Sequence, residues 1–83
     1  MFDETENRIV NILNKIKGPK EIEIKPEMNL FSAGVLDSFG MIEYLSALEK
    51  EFDIKIVNED LVPQNLWNVK AGAILVGKYL GRR

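Results

Sequence analysis

Asp37 and Ser38 sit side by side in the run Gly34-Val35-Leu36-Asp37-Ser38-Phe39-Gly40-Met41-Ile42-Glu43. Two kinds of chemistry are open to this serine. A hydroxyl at a helix start can accept a backbone N–H and serve only as a cap. It can instead be the acceptor of a covalent group delivered by another protein. Unaided nucleophilic catalysis is a third possibility, and the composition argues against it. The run is not G-x-S-x-G, and a serine needs a base to activate it. The chain has no histidine and no cysteine. The commonest general base, the commonest neutral metal ligand and any thiolate nucleophile are therefore missing. A self-contained enzyme is not expected.

Two other patterns invite a chemical reading and fail it. Gly72-Ala73-Ile74-Leu75-Val76-Gly77-Lys78 has the opening of a phosphate-binding loop, but Tyr79 follows where Ser or Thr should hold magnesium. No strand precedes it, and its middle reads as helix. The acids Glu43, Glu49, Glu51, Asp53, Glu59 and Asp60 lack the spacing of a calcium-binding loop and read as a solvated face.

The elements that must position Ser38 follow from periodicity. Ile9, Val10, Ile12, Leu13 and Ile16 form one apolar stripe, which predicts a helix over 3–17. Asp3 and Glu6 have capping-box spacing, Lys15 and Lys17 suit the helix end, and Gly18-Pro19 stops it. Glu21-Ile22-Glu23-Ile24-Lys25 alternates like a strand but has no partner strand. It is expected as an extended loop pinning Ile22 or Ile24 to the core. Leu30, Phe31, Val35 and Leu36 should fasten that loop across the helices, with Gly34 in a sharp turn.

A second helix is predicted over 38–52. At about 100° per residue, Tyr44, Leu48, Met41, Phe52 and Leu45 share one arc, the core stripe. Phe39 falls nearly opposite, Ile42 on the border, and Ser46 and Glu49 on the same outer side. Two exposed apolar side chains beside Ser38 suggest a docking patch. Ile54 and Ile56 should tuck inward, and Asn58 should cap a short helical turn over 58–62 that Pro63 limits. The last helix is expected over 68–80, with a seam of Val69, Ala73, Val76 and Leu80 led by Leu66 and Trp67. Gly81 ends it, and Arg82-Arg83 is a basic tail suited to a helix C-terminus.

With 83 residues the chain should form a single domain over 1–83 with a small core. A net charge of −2 leaves no electrostatic footprint for nucleic acid. No apolar run is long enough for a membrane span. The acidic start is unlike a secretory signal, so a cytoplasmic setting is expected. The fold class is all-α: an antiparallel bundle of three main helices and one short helix, with a long first loop.

Leu36-Asp37-Ser38-Phe39, then Ile42-Glu43, then Leu48-Glu49-Lys50-Glu51-Phe52-Asp53-Ile54-Lys55-Ile56 resembles the acyl carrier protein family. The likeness covers essentially the whole chain. It implies the four-helix acyl-carrier-like bundle and a 4′-phosphopantetheine arm, delivered from coenzyme A to Ser38 by a phosphopantetheinyl transferase. The thiol of that arm would hold an acyl or aminoacyl group as a thioester, supplying the sulfur that the chain lacks. The resemblance makes Asp37 an aid to the modification, Phe39 and Ile42 apolar contacts for partners, and Glu43 and Glu49 acidic ones. Partners would be the transferase and the enzymes that activate and transfer the acyl or aminoacyl group to or from a monomeric carrier.

Phe39 stands where Leu or Met is usual and Val57 where fatty-acid carriers have Pro, while the long stretch from Asn58 to Leu66, and Leu30 to Ser38 with it, looks more like stand-alone aminoacyl or D-alanyl carriers. The leading expectation is therefore a non-catalytic aminoacyl or acyl carrier. A carrier for fatty-acid or polyketide biosynthesis is the alternative within the family. An unmodified helical adaptor using the same face is the alternative outside it.

Overall fold

The structure is a computed structural model that describes residues 2–81. It contains α1 (Glu4–Lys17), α2 (Ser38–Phe52) and α3 (Val69–Leu80), with short 3-10 turns at Asn58–Asp60 and Pro63–Asn65 between α2 and α3. No strand occurs among the described residues. The expected basic tail, Arg82-Arg83, lies outside them.

Helix α1 starts as its residues dictate. The Glu6 N–H donates to the Asp3 carboxylate at 2.8 Å, and the Asp3 N–H donates back to Glu6 at 2.9 Å. This reciprocal pair is the capping box. Gly18, at φ +62°, ends the helix in a conformation that side chains rarely adopt. Ile9, Ile12 and Leu13 are buried against the other helices.

The loop from 18 to 37 is ordered by its anchors. Ile24, Leu30, Val35 and Leu36 are all buried, and Ile22 is half-buried. The Leu30 N–H donates to the Trp67 carbonyl at 2.7 Å, and the Lys70 N–H donates to the Pro26 carbonyl at 3.3 Å. The loop is thus tied to the start of α3. The Asn29 side chain accepts the N–H groups of Phe31 and Ser32, and Gly34 (φ +81°) completes the turn. The Val35 and Leu36 N–H groups then return to the Leu30 carbonyl. Satisfied backbone groups and four buried apolar anchors hold a long segment that has no helix or strand of its own.

In α2 the predicted bounds hold, and Tyr44, Leu48 and Phe52 form the buried stripe, with Met41 and Leu45 half-buried. Asp53 closes the helix in the left-handed region at φ +53°, and its N–H and that of Ile54 both reach the Glu49 carbonyl. Ile56 is buried and Ile54 half-buried, as the alternation predicts. At the same end, Arg8 from α1 stacks over the Phe52 ring at 4.3 Å and donates to the Glu51 carboxylate and carbonyl, each at 2.8 Å.

Two expectations about the C-terminal third are corrected. Asn58 does not cap the short turn: Val57 occupies that position, and no side chain caps it. A three-residue turn leaves no amide for such a cap, because the Asp60 and Leu61 N–H groups already bond the carbonyls of Val57 and Asn58. The seam of α3 is also rotated. Val69, Gly72, Leu75, Val76 and Tyr79 are buried, whereas Ala73 is half-buried and Leu80 exposed. Tyr79 takes the inner place because its hydroxyl has partners there. It donates to Asp60 Oδ2 at 2.5 Å and accepts the Val57 N–H at 3.0 Å.

The same rotation puts Gly72 against Tyr44. A Cβ at position 72 would lie 2.5 Å from the Tyr44 hydroxyl and 3.7 Å from its ring carbon Cζ. Tyr44 is fully buried, and its hydroxyl has no hydrogen-bond partner among the described residues. Desolvation pushes the pKa of this phenol up. An unpaired buried hydroxyl costs stability, so Tyr44→Phe should raise it by about 1 kcal/mol. Gly72→Ala should lower it by about 1–3 kcal/mol through the clash. In the Tyr44→Phe background the clashing oxygen is gone, and Gly72→Ala should instead stabilise by about 0.5–1 kcal/mol through helix propensity. Urea denaturation of the four proteins tests this reversal of sign; additive effects would contradict it.

Candidate functional site

The site forms where the long loop runs into α2. Leu36 is buried, which fixes the frame of the next residues. Asp37 is the residue that caps α2, with extended backbone at ψ −166°. Its Oδ1 accepts the Gly40 N–H at 2.7 Å, and its carbonyl accepts the Met41 N–H at 2.8 Å. Ser38 is the first residue of the helix. Both residues have the chemistry of a cap, and the structure gives the task to the aspartate.

The consequence for Ser38 is direct. Its side chain is exposed and makes no hydrogen bond with the described residues. Its hydroxyl is not spent on the cap of α2, which Asp37 supplies. Gly40, two residues further on, lets the helix start lie close to its neighbours. A Cβ there would sit 3.2 Å from Asp37 Oδ1 and 3.6 Å from side-chain carbons of Ile16 and Leu36. Sequence reasoning passed over Gly40, although a glycine within the first turn of a helix was a signal of close packing.

Phe39 is 79% exposed and Ile42 60% exposed, high values for large apolar side chains. Glu43 is exposed beside them. Asp37, Ser38, Phe39, Ile42 and Glu43 thus share the first turns of α2. Glu49 stands apart. It lies eleven residues beyond Ser38, about 16 Å along the axis. It is half-buried, and its Oε2 accepts the Ile56 N–H at 2.9 Å.

Among the described residues, no helix is long and apolar enough to cross a membrane. Comparison with known proteins gives the arrangement its context. The family described as "Phosphopantetheine attachment site" matches residues 7–64, which include the whole of α2 and the loop before it. The chain belongs to this carrier family. Among its relatives, aminoacyl carrier protein 2 of Bradyrhizobium diazoefficiens is 30% identical over 78 residues, 92% of this chain and 86% of that protein. The D-alanyl carrier protein of Bacillus subtilis is 29% identical over 63 residues, 76% of this chain and 80% of that protein. That of Lacticaseibacillus casei is 32% identical over 56 residues, 66% and 69% of the two chains.

The group that the phosphopantetheine-attachment family carries is 4′-phosphopantetheine, bound covalently. The residues present fit it. An exposed serine whose side chain makes no hydrogen bond with the described residues stands at the start of α2. The Ser38 and Phe39 N–H groups lie at the helix N-terminus, where the backbone dipole favours negative charge.

The division of labour between the two residues can be measured. Asp37→Ala should cost about 1 kcal/mol of stability, and Asp37→Asn only a few tenths, because asparagine also caps. Ser38→Ala should change stability by less than about 0.5 kcal/mol, since no bond is lost. Denaturant midpoints of the three variants test this; a Ser38→Ala loss equal to that of Asp37→Ala would mean that the serine shares the cap.

Proposed function

We propose that Ser38 carries the phosphopantetheine arm and that the chain presents an aminoacyl group on it to partner enzymes. The observation that carries this reading is the free, exposed Ser38 hydroxyl beside a cap supplied by Asp37. In the transfer, Ser38 Oγ attacks the phosphorus of coenzyme A that bears the pantetheine. The new O–P bond replaces the pyrophosphate bond, adenosine 3′,5′-bisphosphate leaves, and the serine proton passes to a base of the transferase. When attached, the arm supplies a thiol that can hold a carboxylic acid as a thioester.

The chain's own residues do the rest. The Asp37 carboxylate holds the helix start that presents Ser38, and its charge lies where the transferase must dock. Phe39 and Ile42 form the apolar part of the docking face, with Glu43 at its edge. Glu49 has a supporting task, holding the segment after α2 through the Ile56 N–H. The aminoacyl cargo is favoured over a fatty acyl one because the relatives named above are aminoacyl and D-alanyl carriers. The carrier is non-catalytic: with no histidine or cysteine, activation and transfer of the cargo fall to partners. A cytoplasmic setting goes with a need for coenzyme A and activated amino acids.

Incubation with coenzyme A, magnesium and a broad-range phosphopantetheinyl transferase should add the mass of one phosphopantetheine to the protein. Ser38→Ala should abolish the gain. No gain in the native chain, or a gain that survives Ser38→Ala, would overturn the assignment. Loading of the modified chain should then succeed with amino-acid-activating enzymes and fail with fatty-acid-activating ones.

A further inference from the structure

Helices α1 and α2 run antiparallel: Ile16 lies beside Gly40 at one end, and Arg8 beside Glu51 at the other. Between them lies a groove of about 500 Å³ lined by Ile12, Lys15, Ile16, Glu43, Ala47 and Lys50, with Glu51 at its far end. Helical spacing places Glu43, Ala47 and Lys50 on the flank of α2 next to Phe39. The groove therefore continues the face that carries Phe39 and Ile42.

Its charges are not all available. Glu51 is paired with Arg8 at 2.8 Å. Lys15, Lys50 and Glu43 are exposed, and none makes an ion pair with the described residues. Glu49, further round α2, is half-buried and bonded to the Ile56 N–H. Two free ammonium groups thus rim an apolar floor of Ile12, Ile16 and Ala47, against one free carboxylate.

We propose that this groove is part of the docking surface and takes a partner-protein surface presenting an apolar side chain flanked by carboxylates. It rests on the carrier reading above only for the reason that a partner docks. The apolar floor supplies contact area, and the lysines supply orientation and attraction during encounter. Exposed pairs of this kind are individually weak, which suits a carrier that must leave one enzyme for the next.

The test uses the full chain without its arm, so it is independent of whether Ser38 is modified. Two synthetic helical peptides share a pair of leucines one turn apart and differ only in the flanking residues, glutamate in one and lysine in the other. Each is titrated into the isotope-labelled protein while backbone amide signals are followed by NMR. The glutamate peptide should shift Ile12, Ile16 and Ala47 saturably and bind at least about fivefold more tightly than the lysine peptide. In the Lys15→Glu/Lys50→Glu variant the preference should invert, and in Lys15→Gln/Lys50→Gln it should vanish. These side chains are exposed, so the fold should survive all four changes. The proposal is overturned if the lysine peptide binds the native chain as tightly, or if neither peptide moves the groove residues. Such a result would leave the mass-gain test of Ser38 untouched, and a failed mass gain would not alter the peptide preference.

Discussion

The bond from the Gly40 N–H to Asp37 Oδ1 is the constraint on which the site depends. A helix start leaves its first N–H groups without intrahelical partners, and something must accept them. If Ser38 did so, its hydroxyl would be turned back onto the backbone and the helix would begin one residue later. With the aspartate in that role, the serine becomes the first helical residue, and its oxygen has no structural task. Gly40 leaves room for that bond: a Cβ there would lie 3.2 Å from Asp37 Oδ1 and press the capping carboxylate to shift by a few tenths of an ångström. Capping residue, free hydroxyl and glycine form one unit of sequence.

The rest of the chain fixes where that unit lies. The loop before α2 takes its frame from Leu36, whose burial leaves Asp37 at the surface edge. Leu36 is held in turn by the Leu30 carbonyl, and Leu30 by the Trp67 carbonyl just ahead of α3. The position of Asp37 is therefore set partly by the far end of the protein. At the other end of α2, Glu49 accepts two backbone N–H groups through its carbonyl and a third through its carboxylate. The helix is clamped at both ends while its outer face stays bare. That suits the docking role proposed for this face, because a held presenting element lowers the ordering cost at each encounter.

Much of this was legible from residue types. The capping box at Asp3 and Glu6, the bounds of α2 and the inward turn of Ile56 follow from local rules, and the structure has them. The choice between Asp37 and Ser38 was not legible, because adjacent residues of equal capping ability differ only by the frame that the loop imposes. The seam of α3 was misplaced for a related reason. Tyr79 and Leu80 fit an apolar stripe almost equally well, and the decision came from the Tyr79 hydroxyl finding Asp60 and the Val57 N–H. A helical wheel also placed Glu49 with Phe39 and Ile42. It locates a Cα but cannot tell that a long side chain bends back to an amide seven residues on.

The distribution of charge follows from these packing decisions. Along α2 itself Glu43, Glu49 and Glu51 outnumber Lys50, and the face looks acidic. Structure changes the count by using acids up. Glu51 is paired with Arg8, and the Glu49 carboxylate is turned to the Ile56 N–H, whereas Lys15 and Lys50 make no ion pair with the described residues. A carboxylate paired with a cation, as Glu51 is with Arg8, attracts an incoming partner less, because its field is largely met by that cation. The charge that a partner meets is therefore the unpaired remainder, and on the α1 side of the face that remainder is basic. In the proposed docking face, apolar side chains such as Phe39 and Ile42 would fit many surfaces and discriminate poorly. Free charges set beside them decide which surfaces approach in the right orientation and which are turned away.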